Sequence, residues 1–135
     1  MYRNILVPVS LENKDKAALA CDTARTLAAP EATITLLHVV EHMPAHVRQY
    51  LPKNFLIEAR AGLQPELERL AAAVPGAKAV VVEGHAGRTI LDYAEEKGSD
   101  CIVIASHRPA MEDYLLGSTA AQVVRHAACA VMVVR

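Results

Sequence analysis

Five short apolar runs separated by stretches of helical spacing constrain this chain more than any other feature. Asn4-Ile5-Leu6-Val7-Pro8-Val9 is almost continuously apolar, and similar runs occupy Ala32–Val40, Lys78–Glu83, Asp100–Ala105 and Ala130–Val134. A strand with one wet face alternates apolar and polar residues, whereas an unbroken apolar run belongs to a strand covered on both faces, as in a parallel sheet. Between the runs the period changes. From Asn13 onward, Ala17, Cys21, Ala24 and Ala28 recur at spacings of four, three and four, one stripe of an amphipathic helix expected to end near Pro30. Leu63, Leu67, Leu70 and Val74 form a second stripe, with Pro65 marking its first turn or kinking it. Ala86, Ile90 and Ala94, beside Tyr93, form a third, closed by Gly98 in a left-handed cap. A fourth helix runs from Gly117-Ser118 through Ala120, Val124 and Ala127. The stretch from Glu41 to Asn54 carries Pro44 and Pro52 without a period and is expected to be a long loop. Five strands alternating with four helices predict one α/β domain over residues 1–135: a single five-stranded parallel sheet with right-handed crossovers and helices on both faces.

Composition narrows what such a domain does. Hydrophobic residues make up 53% but aromatics only 4%, so the core is built from Ala, Val, Leu and Ile, which rules out disorder. Fourteen basic residues against fifteen acidic ones leave a formal charge of −1, so no nonspecific nucleic-acid surface is expected. No apolar run approaches the roughly 18 residues of a membrane span. Met1-Tyr2-Arg3-Asn4 leads straight into the first strand without a signal-peptide core, so the expected location is the cytoplasm. Cys21, Cys101 and Cys129 sit in apolar surroundings without a Cys-x-x-Cys pair and are expected to be small core residues in a reducing compartment. His42 and His46 would share one helical face, but Pro44 falls between them and no third ligand stands near, so no metal site is expected.

In parallel sheets a ligand crevice opens beyond the strand carboxyl ends, where neighbouring strands send their connections to opposite faces. With the first and fourth strands as central neighbours, Pro8-Val9-Ser10 and Ile104-Ala105-Ser106-His107 line it. Gly117-Ser118-Thr119 opens the last helix, where unpaired N–H groups and the positive dipole end favour an anion. Ser118 could equally be an ordinary N-cap. His107 and Arg108 place positive charge in the preceding loop; Arg108 suits a phosphate in bidentate geometry, and the alternative is a solvated charge or a pair with Glu112 or Asp113. Gly84-His85-Ala86-Gly87-Arg88-Thr89 lacks the spacing and lysine of a phosphate-binding P-loop and is expected to be a turn into the third helix. No Gly-x-Gly-x-x-Gly follows the first strand, which disfavours a dinucleotide.

These residues resemble a known family. Asn4-Ile5-Leu6-Val7-Pro8-Val9, Leu36-Leu37-His38-Val39, Ile104-Ala105-Ser106-His107-Arg108-Pro109, Tyr114-Leu115-Leu116-Gly117-Ser118-Thr119, Val124-Arg125-His126-Ala127 and Val131-Met132-Val133-Val134 are similar to the universal stress protein (UspA) family, most of all to its UspF/UspG-like bacterial branch. The resemblance spans the whole chain. It implies a Rossmann-like sheet of strand order 3-2-1-4-5 and an adenine nucleotide, ATP first and ADP or AMP as alternatives, with or without Mg²⁺. It places adenine between the ends of the first two strands (Pro8, Val9, Val39), ribose near Ser10 and Ile104-Ala105, and phosphates on Gly117, Ser118 and Thr119, beside Ser106, His107 and Arg108. It also implies a homodimer through the C-terminal strand and a regulatory protein partner. The family's Gly-x2-Gly-x9-Gly-Ser/Thr motif is altered here: Ala105 and Arg108 replace the early glycines, eight residues separate Arg108 from Gly117, and Ser10 stands where an aspartate is usual.

The crevice offers phosphate donors but no evident nucleophile, metal cage or oriented base, because Ser10, His38 and His107 lack a partnering carboxylate. A nucleotide-responsive regulatory module in stress response is therefore expected ahead of an enzyme. A slow ATPase and a nucleotide-free dimer acting through protein partners are the alternatives. With Phe55 the sole phenylalanine and no tryptophan, base recognition would rest on backbone polar groups and valine walls.

Overall fold

The computed structural model describes residues 1–106 and 116–135. Its elements are strands β1 (Tyr2–Pro8), β2 (Ala28–Val40), β3 (Ala77–Glu83), β4 (Cys101–Ala105) and β5 (Ala130–Val134), and helices α1 (Lys14–Leu27), α2 (Ala45–Arg48), α3 (Phe55–Ala72), α4 (Ala86–Lys97) and α5 (Ser118–His126). All strand pairs are parallel, in the order β3-β2-β1-β4-β5. The continuous apolar character of β1 has the expected cause: Ile5, Leu6 and Val7 are completely buried, with Ile5 and Val7 packed toward one face and Leu6 toward the other.

Two apolar layers follow from that alternation. On one face, Ala17, Ala20, Cys21 and Ala24 of α1 and Leu67 and Ala71 of α3 cover Ile5, Val7, Ile34, Leu36 and Val103. Small side chains on α1 bring the helix close to the sheet, and close packing then fills the space left over. On the other face, Ile90 and Ala94 of α4 and Ala120 and Val123 of α5 cover Leu6, Leu37, Ile102 and Ile104. The chain therefore winds β1 to β3 on one face and then crosses back to β4 on the other. The change of face falls between β1 and β4, and a crevice must open there at their carboxyl ends.

Polar contacts pin the elements. Asn13 caps α1, its side chain accepting from the Lys16 N–H at 3.1 Å. Gly98 ends α4 in the left-handed conformation, at φ 68°. The Asp100 carboxylate accepts from the N–H groups of Arg3 and Asn4 at 2.8 and 3.0 Å, and the Asn4 side chain donates to the Lys97 carbonyl at 2.7 Å. These bonds hold the start of β1 against the α4–β4 connection.

Two expectations are corrected. The first helix does end near Pro30, at Leu27, but β2 starts at Ala28 and not at Ala32, so Pro30 lies inside it. Proline disfavours the helical conformation of the residue before it, and the β1–β2 register shifts between Tyr2 and Asn4, near Glu31 at φ 63°. The second helix begins at Phe55, well before Leu63, so Pro65 is interior. Its first turns carry no readable stripe because they bury little: Phe55 and Ile57 are exposed. The segment 41–54 also contains the single turn α2.

Burial pushes the Cys21 thiol from 9.0 up to about 11, with the charge of Asp22 adding to the effect. Burial, then Cys129 and Asp100, pushes Cys101 to about 11. A thiol that holds its proton is a poor nucleophile. At pH 8, Cys21 and Cys101 should resist a disulfide-exchange reagent in the native protein and react on unfolding in urea; rapid native reaction would contradict this burial. The folded pKa values are raised, so their contribution to stability is complete below pH 9.0 and is lost as pH climbs through about 11.

Candidate functional site

A cleft of about 490 Å³ opens where the topology requires it, at the carboxyl ends of β1, β2 and β4. Nine of the sequence-predicted residues line it: Pro8, Val9, Ser10, Val39, Ile104, Ala105, Gly117, Ser118 and Thr119. Ser106 stands behind the wall, where its Oγ accepts from the Gly117 N–H at 3.1 Å. His107 and Arg108 lie outside the described residues.

The seat at α5 is the chemical centre of the cleft. Gly117 is the N-cap residue at φ −62°, ψ 156°, which corrects the N-cap reading of Ser118, and among the described residues no side chain caps the helix. Ser118 is instead the first helical residue and is exposed. The first N–H groups of an α-helix have no partner within the helix itself. Any residue can adopt the Gly117 backbone conformation.

The walls are apolar and held firmly. Val9 and Ile104 are buried, and the Val9 N–H donates to the Leu37 carbonyl at 2.9 Å. His38 Nδ1 lies 2.9 Å from the Val9 carbonyl oxygen. A carbonyl only accepts, so Nδ1 is the donor, and the ring is oriented by backbone and not by a carboxylate.

His38, weighed as a base near the crevice, does line it, whereas sequence reasoning missed Glu12, Glu41 and Ala86 as lining residues, along with several apolar ones. The Glu41 carboxylate accepts from the Ala86 N–H at 3.1 Å, and so occupies the start of α4. The turn assigned to Gly84 through Thr89 does lead into α4, and its Ala86 reaches the cleft. Glu12 and Glu41 carried no signal, because nothing local distinguishes them from solvated loop carboxylates. The histidine pair also separates: His42 Nδ1 sits 2.8 Å from Glu83, which Arg48 also contacts at 3.2 Å. Among the described residues no group of three or more His, Cys, Asp or Glu is placed to hold a metal ion.

Sheet order and cleft together define a doubly wound α/β protein with a crevice at the switch point. The family model of the universal stress protein family matches residues 1–135. Universal stress protein G of Escherichia coli O157:H7 is 32% identical over 143 residues, covering all of both chains. The solved universal stress protein UspA of Lactobacillus plantarum superposes with a TM-score of 0.72 at 32% identity, over 99% of this chain and 98% of that one. A universal stress protein solved in complex with cAMP gives a TM-score of 0.67 at 24% identity, covering 99% of this chain and 97% of that one. The Archaeoglobus fulgidus protein solved with dAMP gives 0.70 at 19%, covering 99% and 98%. The chain belongs to the universal stress protein family.

Proposed function

We propose that the cleft binds an adenine nucleotide and that the chain is a nucleotide-responsive regulatory module of the stress-protein type, working in the cytoplasm. One observation carries the reading: an uncapped helix start with Gly117, Ser118 and Thr119 shares a cleft with the apolar walls Val9, Val39 and Ile104. That is the composition a base and a phosphate need together. The relatives solved with cAMP and dAMP support the adenine part. In this reading the base lies against Pro8, Val9 and Val39, the ribose near Ser10, Ile104 and Ala105, and the phosphate on Gly117, Ser118 and Thr119. His107 and Arg108 contribute charge from the loop.

ATP is the reference ligand for the test, with ADP and AMP beside it, each with and without Mg²⁺. Calorimetric titration should show saturable heat, and ligand at a hundred times its Kd should stabilise the fold by about 2.7 kcal/mol in thermal unfolding. Absence of both heat and thermal shift with all three nucleotides would remove the reading. A regulatory role is preferred to catalysis because the His38 ring is held by the Val9 carbonyl and not by a carboxylate that would raise its basicity. Quantitative turnover with Mg²⁺, lost on Ser118→Ala, would instead establish the slow ATPase.

The two sheet edges support a homodimer through β5. On the β3 edge, Gln64 Nε2 donates to the Ala79 carbonyl at 3.1 Å and Arg60 to the Val81 carbonyl at 3.4 Å. Side chains so placed block strand addition. On the β5 edge, Met132 is 40% exposed. Sedimentation at micromolar concentration should give twice the 14.5 kDa chain mass; a monomer would count against the pairing. Arg60→Ala with Gln64→Ala should uncover the other edge and raise light scattering on incubation, and equal scattering would remove their blocking role.

A further inference from the structure

We infer that residues 41–48 form a strap that gates the cleft, and that Glu83 is the latch that holds the strap down. The gating of a ligand rests on the nucleotide reading above, whereas the latch stands on its own contacts. Val40 and Glu41, at the root of the strap, both line the cleft. Strands β2 and β3 stay in register as far as Val40 and Glu83, and the Gly84 N–H donates to the Val40 carbonyl at 2.9 Å. Beyond that point the strap leaves the sheet, and side chains tie it down. His42 Nδ1 donates to Glu83 Oε1 at 2.8 Å, Arg48 Nη2 donates to the same oxygen at 3.2 Å, and Arg60 Nη1 of α3 lies 3.9 Å from Oε2. Arg60 also donates to the Val81 carbonyl at 3.4 Å, so the latch is anchored on the sheet edge and on α3 together.

The latch and the cleft mouth are coupled through adjacent residues. Glu41 Oε1 accepts from the Ala86 N–H at 3.1 Å, a bond that spans the mouth between the end of β2 and the start of α4. His42 follows Glu41 directly, so freeing His42 from Glu83 loosens the residue that bridges the mouth. The strap's hold is polar: α2 has no buried residue, and residues 44–50 are all exposed. A segment with so little buried apolar surface opens far more easily than the whole fold. Exposed and half-buried charge pairs contribute modestly and are screened by salt, which suits a fastening that must release. Entry and exit of a ligand then share one opening step, so the latch acts on both rates and leaves affinity nearly unchanged.

The test compares the full native chain with Glu83→Gln by amide hydrogen exchange in NMR, followed on the same samples by line-shape titration with whichever of ATP, ADP and AMP binds tightest. In the variant the Gly84 and Ala86 amides, which are bonded to the root of the strap, should exchange about fivefold faster, while the amides of buried β1 keep their native rates. Nucleotide dissociation should also quicken about fivefold, with Kd changed less than about twofold. Raising the salt to about 0.5 M should move the native protein in the same direction. Arg48→Gln should do so to a smaller extent, and it decides the matter if the Glu83 variant does not fold. Unchanged exchange at Gly84 and Ala86, or equal acceleration throughout β1, would overturn the latch. Faster exchange with an unchanged dissociation rate would overturn the gating and leave the latch standing. No response to any of the three nucleotides would overturn the nucleotide reading and the gating with it, and the exchange comparison would still decide the latch.

Discussion

Replacing Leu6 by alanine is expected to cost about 3–5 kcal/mol of folding stability, in the upper part of the range for buried leucines. Leu6 is completely buried on the central strand, in register with Thr35 of β2 and Ile102 of β4. It is held under α4 and α5 in the layer formed by Leu37, Ile90, Ile102, Ala120 and Val123. Hydrogen-bonded strands on both sides stop the backbone from closing the cavity, so the transfer loss and the cavity cost both apply. A domain of ordinary stability has only about 5–15 kcal/mol to lose. Urea unfolding should show a much lower midpoint with an unchanged slope, and Leu19→Ala, at a position 44% exposed on α1, should cost under about 1 kcal/mol. Similar losses at the two positions would contradict a core centred on β1.

Gly117→Val is expected to weaken adenine-nucleotide binding at least thirtyfold, about 2 kcal/mol, while leaving the protein folded. Valine can adopt the backbone at φ −62°, ψ 156°, so no backbone strain is added at this buried position. The new side chain occupies the approach to the uncapped N–H groups of α5, and an anion that cannot reach them loses charge-assisted hydrogen bonds. Ser118→Ala should cost less, about tenfold, because it removes one hydroxyl and leaves the helix start in place. Calorimetric titration of both variants, with circular dichroism to confirm folding, decides it. Native-like affinity in folded Gly117→Val would move the phosphate seat away from α5.

Element types were legible wherever a segment packs along its whole length. The run Asn4–Val9, the stripe Ala17, Cys21, Ala24 and the cap Gly98 each carry their physical cause in the residues themselves. Legibility failed where an element projects beyond the sheet. The first turns of α3 bury little, so Phe55 and Ile57 leave no periodic trace of the helix they belong to. It failed again at Pro30, where an irregular pairing with Tyr2 and a left-handed Glu31 continue β2 past a residue that ordinarily ends strands.

The site divides along the same line. Residues at strand ends and at the start of α5 could be named in advance, because parallel topology places strand carboxyl ends beside helix starts. Glu41 and Ala86 could not. They are distant in the chain, and neither carries local information about the other; only the fold brings the carboxylate of one within 3.1 Å of the N–H of the other. The sequence by itself determined the layers, the buried central strand and the helix start that faces the cleft, because periodicity and burial are properties of neighbouring residues. The tertiary structure alone decided which edge of the sheet is covered by side chains and which carboxylate meets the start of α4, because those depend on side chains meeting across long stretches of chain.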